Sequence, residues 1–155
     1  MTLEDVTKCR TLTRGFRLAI DILPQYKDIV TFASSILRAV LSLEIASYFT
    51  CAELHNALCS KKCENCGQFG PFLYLLRCER VCYECMTTID DYLPLKPAHA
   101  MQKVAVKKKD FNKYDVPTAR CLPGRYDRLR PRKHEKGGTQ LVDFKRMFPL
   151  FVTDF

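Results

Sequence analysis

Tryptophan is absent from the chain, glycine is limited to six residues and histidine to three. No apolar run reaches the roughly eighteen residues that a membrane-spanning helix needs. The opening stretch, MTLEDVTKCRTLTRGF, is too polar to carry the apolar core of a signal peptide. Together these absences predict an intracellular protein, in cytoplasm or nucleus, with no membrane partner. Catalytic signatures are missing as well: there is no G-x-S-x-G elbow, no G-x4-G-K-[ST] phosphate loop and no H-E-x-x-H. His55, His99 and His134 have no nucleophile at motif spacing. The adjacent Asp90 and Asp91 point about 100° apart on a helix and to opposite faces on a strand, which is wrong for a cooperating carboxylate pair. The expectation is that the chain is not an enzyme. Repeats and low-complexity stretches are also lacking, which argues against a solenoid and against disorder.

What is present is 155 residues, 47% hydrophobic and 27% charged, with ten Phe and seven Tyr. That suits a single modest domain, near the size at which small modules often use a metal or a disulfide. Nine cysteines are too many for chance packing, and in a reducing compartment they favour metal over a disulfide set, as does their odd number. The net charge of +8 is uneven. Residues 1–100 carry eleven Lys+Arg against eleven Asp+Glu, whereas residues 101–155 carry fourteen against six, so the whole excess is carboxyl-terminal.

From Pro24 to Phe49, the apolar residues Ile29, Phe32, Ile36, Leu37, Val40 and Leu41 recur at spacings of three and four, which predicts one helix. A break capped by Ser34 and Ser35 is the alternative. Thr50 followed by Glu53 has the capping-box pattern and predicts a second helix over 51–59. FLYLL (residues 72–76) is short, aromatic and bounded by Gly70 and Pro71, as a hairpin strand would be. AHAMQKVAV follows a proline and predicts a short helix, KKKDFNKYDV adds a turn or two, and LVDFKRMFPLFVTDF reads as a strand or helix that docks back, or as a segment cut off from a partner.

Residues 63–85 read CENCGQFGPFLYLLRCERVCYEC. Cys63 with Cys66, and Cys82 with Cys85, form two C-x2-C pairs at the spacing of a four-thiolate structural zinc site. Two thiolates on one tight turn can grip one tetrahedral ion, and Gly67 lets that turn aim N–H groups at sulfur. The hairpin brings the second pair back, and that pair then opens a helix, a treble-clef-like order whose helix N-terminus faces the thiolates. Lys61, Lys62, Arg77 and Arg80 flank the site and are expected to keep the thiols ionised. Cys78 competes as a ligand through Cys78-x3-Cys82 but fits a core thiol better. Cys51, His55 and Cys59 share a helical face without a fourth ligand and read as core residues.

The segments SILRAVLSLEIASYFT, ELHNALCS, CENCGQFGPFLYL, RVCYEC, YLPL and CLPGRY resemble the conserved body of fungal F-box proteins. There a zinc-binding C-x2-CG-x-FG-x-FL-[FY]-L element with R-[VC]-C-x2-C follows the F-box, and an LPG-x-Y motif closes the block. The resemblance covers about residues 29–130. It implies a substrate-recognition part of a ubiquitin ligase, docked by its F-box on the Skp-type linker of a cullin. In these relatives the F-box lies upstream of the matched block. Here either residues 16–49 form a diverged F-box, with Ile22 to Pro24 standing near the usual Leu-Pro start, or the module is missing.

The expected architecture is α+β, mostly α: a helical region over 1–60, a zinc-stapled hairpin and following helices over 61–118, and over 119–155 a basic arm with an LPGRY turn and an apolar end. The expected function is a non-enzymatic adaptor holding one structural Zn2+ and a protein partner, the Skp-type linker, a substrate protein, or both. The alternative is a zinc-containing nucleic-acid-binding protein. Its contacts would come from Arg125, Arg128, Arg130, Arg132 and Lys133, within a stretch that also reads as surface charge or a localisation signal.

Overall fold

In the computed structural model, residues 1–111, 113–114, 116–121 and 140–152 are described. The basic stretch with Arg125, Arg128, Arg130, Arg132 and Lys133, and the LPGRY turn, lie outside the described residues. The described residues are mostly α-helical with two small two-stranded antiparallel sheets, the α+β class expected.

Five helices come first: α1 (Leu3–Leu12), α2 (Arg14–Asp21), α3 (Pro24–Phe32), α4 (Ser34–Ser42) and α5 (Cys51–Cys59). Local chemistry sets their bounds. Thr2 caps α1 in a reciprocal box with Asp5, each side chain bonding the other's backbone N–H. Thr13 is extended, so α1 ends there, and its hydroxyl then accepts from Phe16 N at 3.2 Å to start α2. Pro24 fixes the first turn of α3, a position where its missing N–H costs nothing. The predicted box at α5 is present: Glu53 N donates to Thr50 Oγ1 at 3.2 Å and Thr50 N to Glu53 Oε2 at 2.6 Å.

The single helix predicted over 24–49 is instead two, α3 and α4, followed by turns over 43–49. The break falls at Ala33, whose φ of −138° leaves the helical region. No serine hydroxyl caps it, so the alternative was right about the place and not about the cap.

After α5 the chain forms a hairpin, β1 (Phe72–Tyr74) and β2 (Glu79–Val81), with Leu73 opposite Arg80. Only the first three residues of FLYLL are strand; Leu75 to Cys78 make the turn, and Cys78 takes a left-handed φ of +58°. Next come α6 (Tyr83–Thr88), a 3-10 turn (Asp90–Tyr92), α7 (Pro97–Val104) and α8 (Lys108–Phe111). The end supplies both elements foreseen for it, a strand β4 (Gln140–Val142) paired with β3 (Thr118–Arg120), and a helix α9 (Phe144–Val152). Leu95 bonds Val142 from the other side of β4, at 2.8 and 3.0 Å.

Three apolar clusters result. The largest joins the first five helices through Leu3, Ile29, Val40 and Leu54 and takes in Leu76 from the hairpin turn. A second surrounds the cysteines with Val81 and Tyr92, and a third gathers Ala100, Val142, Met147 and Phe151.

The hairpin and the carboxyl-terminal elements are joined by a buried ion pair. Arg77 Nε lies 3.2 Å from Glu79 Oε2 and 3.6 Å from Asp143 Oδ2, and the guanidinium covers the Tyr92 ring at 4.5 Å. Asp143 is also the residue before α9, and its Oδ1 accepts from Arg146 N at 2.8 Å. Removing one member of a buried pair strands the other charge, so Asp143→Ala is expected to cost about 3 kcal/mol or more in a urea unfolding curve.

Candidate metal centre

The four predicted ligands meet. The sulfurs of Cys63, Cys66, Cys82 and Cys85 all lie within 4.8 Å of one another, and those of Cys66 and Cys82 are 3.7 Å apart. No disulfide joins them. With metal–sulfur bonds of about 2.3 Å, a regular tetrahedron has sulfur–sulfur edges of about 3.8 Å, so the spacing fits one tetrahedral ion. Cys63, Cys82 and Cys85 are buried, and Cys66 is exposed.

Two short loops bring the pairs together. In the first, Gly67 N donates to Cys63 O at 2.9 Å and Cys63 N to Gln68 O at 2.6 Å, with Gly67 at a φ of +73° that a side chain rarely adopts. Gly70 is needed for another reason: a Cβ there would stand 3.0 Å from Cys63 N and 3.2 Å from Val81 N, both backbone. The first pair is thereby pressed against β2, and Glu64 N donates to Arg80 O at 2.8 Å across the join. In the second loop, Cys82 is the N-cap of α6, its sulfur accepting from Cys85 N at 3.4 Å. Asn65 Nδ2 donates to Cys85 Sγ at 3.3 Å.

The thiols do not behave alike. Burial works against ionising Cys63, but the backbone N–H groups of Cys66, Cys82 and Asn65 outweigh it and bring the thiol down to about 6. At Cys85 the Asn65 amide favours the thiolate, yet burial and hydrogen bonds shared with the neighbouring sulfurs push it up to about 12. Four sulfurs this close cannot all ionise without a cation between them, because each thiolate repels the next. A divalent ion removes that conflict, so the donor set and its electrostatics both fit a bound metal.

Other cysteines stay apart. Cys78 packs with the largest cluster, and burial pushes its thiol up to about 11. Cys59 Sγ is 3.7 Å from His55 Nε2, and the same nitrogen is 3.2 Å from Asp28 Oδ2. Among the described residues the Cys63, Cys66, Cys82 and Cys85 group is the one with metal-holding geometry. Two of the expected flanking cations are employed elsewhere. Arg80 donates to Ala57 O, Leu58 O and Pro71 O at 2.8 to 3.2 Å, and Arg77 is held by Glu79 and Asp143. Sequence reasoning passed over Asn65, although its place between Cys63 and Cys66 was the available signal.

No family model, curated protein or solved structure matches this chain.

In sites of this kind metal-binding energy is folding energy. Stripping the ion with a strong chelator is therefore expected to reduce the far-UV circular dichroism and abolish the original melting transition. Elemental analysis of untreated protein should return one zinc per chain. An unchanged melt after proven metal loss would remove the staple from the account.

Proposed function

We propose that this chain is a non-enzymatic protein-interaction adaptor, stapled by one structural zinc ion and related in role to the fungal F-box proteins it resembles. Four sulfur ligands saturate a tetrahedral ion and leave no position for a substrate water, which suits a structural and not a catalytic metal. The order of the parts, a Cys-bearing turn, a hairpin and a helix that starts at Cys82, supports a treble-clef-like description of the element. A reducing, intracellular compartment, cytoplasm or nucleus, goes with thiols grouped at metal spacing. Among the described residues no helix is long and apolar enough to cross a membrane.

The observation that carries the reading is apolar surface on the amino-terminal helices. Ile22 is 75% exposed and Phe32 84%, with Phe16, Leu18 and Leu23 also in water. These side chains lie on α2, on α3 and in the turn between them, and large apolar side chains left in water are candidates for contact with a partner. These helices occupy the part of the chain where the resemblance puts a diverged F-box, so the partner proposed is the Skp-type linker of a cullin ligase, with a substrate protein bound elsewhere. In a pull-down with that linker subunit, wild-type protein is expected to be retained. The double variant Ile22→Glu, Phe32→Glu should lose at least tenfold in affinity with its melting temperature unchanged, since both side chains lie outside the core. No retention of the wild type would leave the ligase connection as resemblance alone.

The second reading, nucleic-acid binding, is favoured by one observation: the entire +8 net charge arises in residues 101–155. It predicts association with random duplex DNA that weakens steeply as salt rises, with a slope set by the number of phosphates neutralised. Anisotropy measured across a salt series checks this, and a flat, negligible signal leaves the adaptor reading in place.

A further inference from the structure

A cleft of about 600 Å³ lies on the molecule, walled by α5, the turn of the β1–β2 hairpin and the start of α9. It touches neither the four clustered cysteines nor the exposed apolar side chains of α2 and α3. Its volume falls in the range of ligand sites, roughly 300–1,000 Å³. Four cations line it: Arg77, Arg80, Lys145 and Arg146.

The arginines are held in an unusual way. Arg80 donates to three main-chain carbonyls, and Arg146 to two, Leu76 O at 3.3 Å and Tyr48 O at 2.9 Å. Among the described residues neither has a carboxylate within 4.0 Å. Carbonyl oxygens fix a guanidinium in place without cancelling its charge, so both are rigid, oriented cations with no carboxylate in direct contact, although Arg146 is near enough to Glu53 to favour its ionised form. Arg77, in the wall behind them, keeps Nη1 and Nη2 buried with no hydrogen-bond acceptor among the described residues. Its charge is met by Glu79 and Asp143 and by the faces of Tyr74 and Tyr92, so it is a fixed part of the wall.

We propose that this cleft is a binding site for a single oxyanion, a carboxylate or phosphate, carried on the side chain of an extended peptide. The acidic residues of the wall select that ligand. Glu53, Glu64 and Glu79 also line the cleft, and Asp143 and Asp91 pair with Arg77 and Lys145 from just outside it, so the wall is mixed in sign and Arg80 and Arg146 are its cations without a carboxylate within 4.0 Å. The two carbonyl-anchored arginines can meet one anionic group, while the surrounding carboxylates repel a strand of successive phosphates, which disfavours nucleic acid here. Asn56 and Ser60 in the lining offer hydrogen-bonding groups to a peptide backbone. The site goes beyond the adaptor reading and stands whether or not the linker docks, because it uses a different surface.

The test uses the zinc-loaded full chain and oriented peptide libraries whose central residue is phosphoserine, aspartate or serine. Binding of a charged library is expected to exceed that of the serine library at least tenfold, with amide shifts at Ser60, Cys78 and Lys145. Lys145→Glu, a substitution at a side chain 58% exposed, should erase that difference while the serine library binds as before. Equal retention of all three libraries, or an unaffected Lys145→Glu variant, overturns the proposal. Inorganic phosphate separates the two sources of the oxyanion: if it binds as tightly as the charged library, the occupant is the free ion and the peptide assignment is wrong. Single-stranded DNA that displaces the charged library from the cleft would likewise overturn it in favour of nucleic acid.

Discussion

The hairpin beyond α5 is closed by four sulfur atoms meeting at one point. The hairpin they enclose has strands of only three residues, and a two-stranded ribbon of that length is not stable in water on its own. The apolar cluster beside the sulfurs is small, with Val81 and Tyr92 its main members besides the cysteines. The four-sulfur cluster therefore adds to the hold that Leu76 in the largest apolar cluster and the Arg77–Asp143 pair already exert on the hairpin. Once the loop from Cys63 to Cys66 is pressed against β2, the close approach of Gly70 to Cys63 and Val81 leaves the strand one position relative to that loop. An ion held by these four sulfurs would therefore fix the hairpin register through the same contacts.

Arginine carries that constraint outward. Arg80 projects from β2 to the final carbonyls of α5, Ala57 O and Leu58 O, where unpaired acceptors and the negative end of the helix dipole favour a cation. The sulfur-closed element is thereby oriented on the amino-terminal helices. Arg146 makes the corresponding link from α9, bonding Tyr48 O and Leu76 O, and Arg77 makes a third through Asp143. At Arg80 and Arg146 a planar, permanently charged group satisfies main-chain oxygens from separate parts of the chain, a task that lysine's single ammonium performs poorly, whereas Arg77 and Asp143 are held by charge at 3.6 Å.

What could be read in the sequence was what short spacing encodes. The two C-x2-C pairs, the Thr50–Glu53 box and the proline-led starts of α3 and α7 are local devices, and the structure has each where expected. The break at Ala33 was harder to see, because the apolar spacing of α3 continues into α4 without interruption and alanine carries no cap or turn signal. FLYLL was given too much strand for a similar reason: it is short, aromatic and apolar throughout, while the turn is set by Leu76 entering the core and by the positive φ at Cys78. The Arg77–Asp143 pair joins residues far apart in sequence, and such a pairing leaves no periodic trace. The basic residues at 125, 128, 130, 132 and 133 lie outside the described residues, so their part in function rests on charge alone.

The break at Ala33 also accounts for the surface on which the adaptor reading rests. Ile29 is 1% exposed, and on an unbroken helix Phe32, one turn later, would extend the same buried stripe toward Ile36 and Val40. Because α3 ends at Phe32, that side chain stands past the edge of the core and in water. Ile22 and Leu23 are exposed for the same reason, at the junction between α2 and α3. The apolar surface is therefore built from helix ends, and its shape depends on the angles between helices. Of these angles, the one between α1 and α2 is held by the Thr13 cap and by the two-point contact of Arg10 with Asp21, at 2.6 and 3.2 Å. A surface of helix ends fixed by polar ties presents its apolar groups without collapsing them into the core, which is the condition for offering them to another protein.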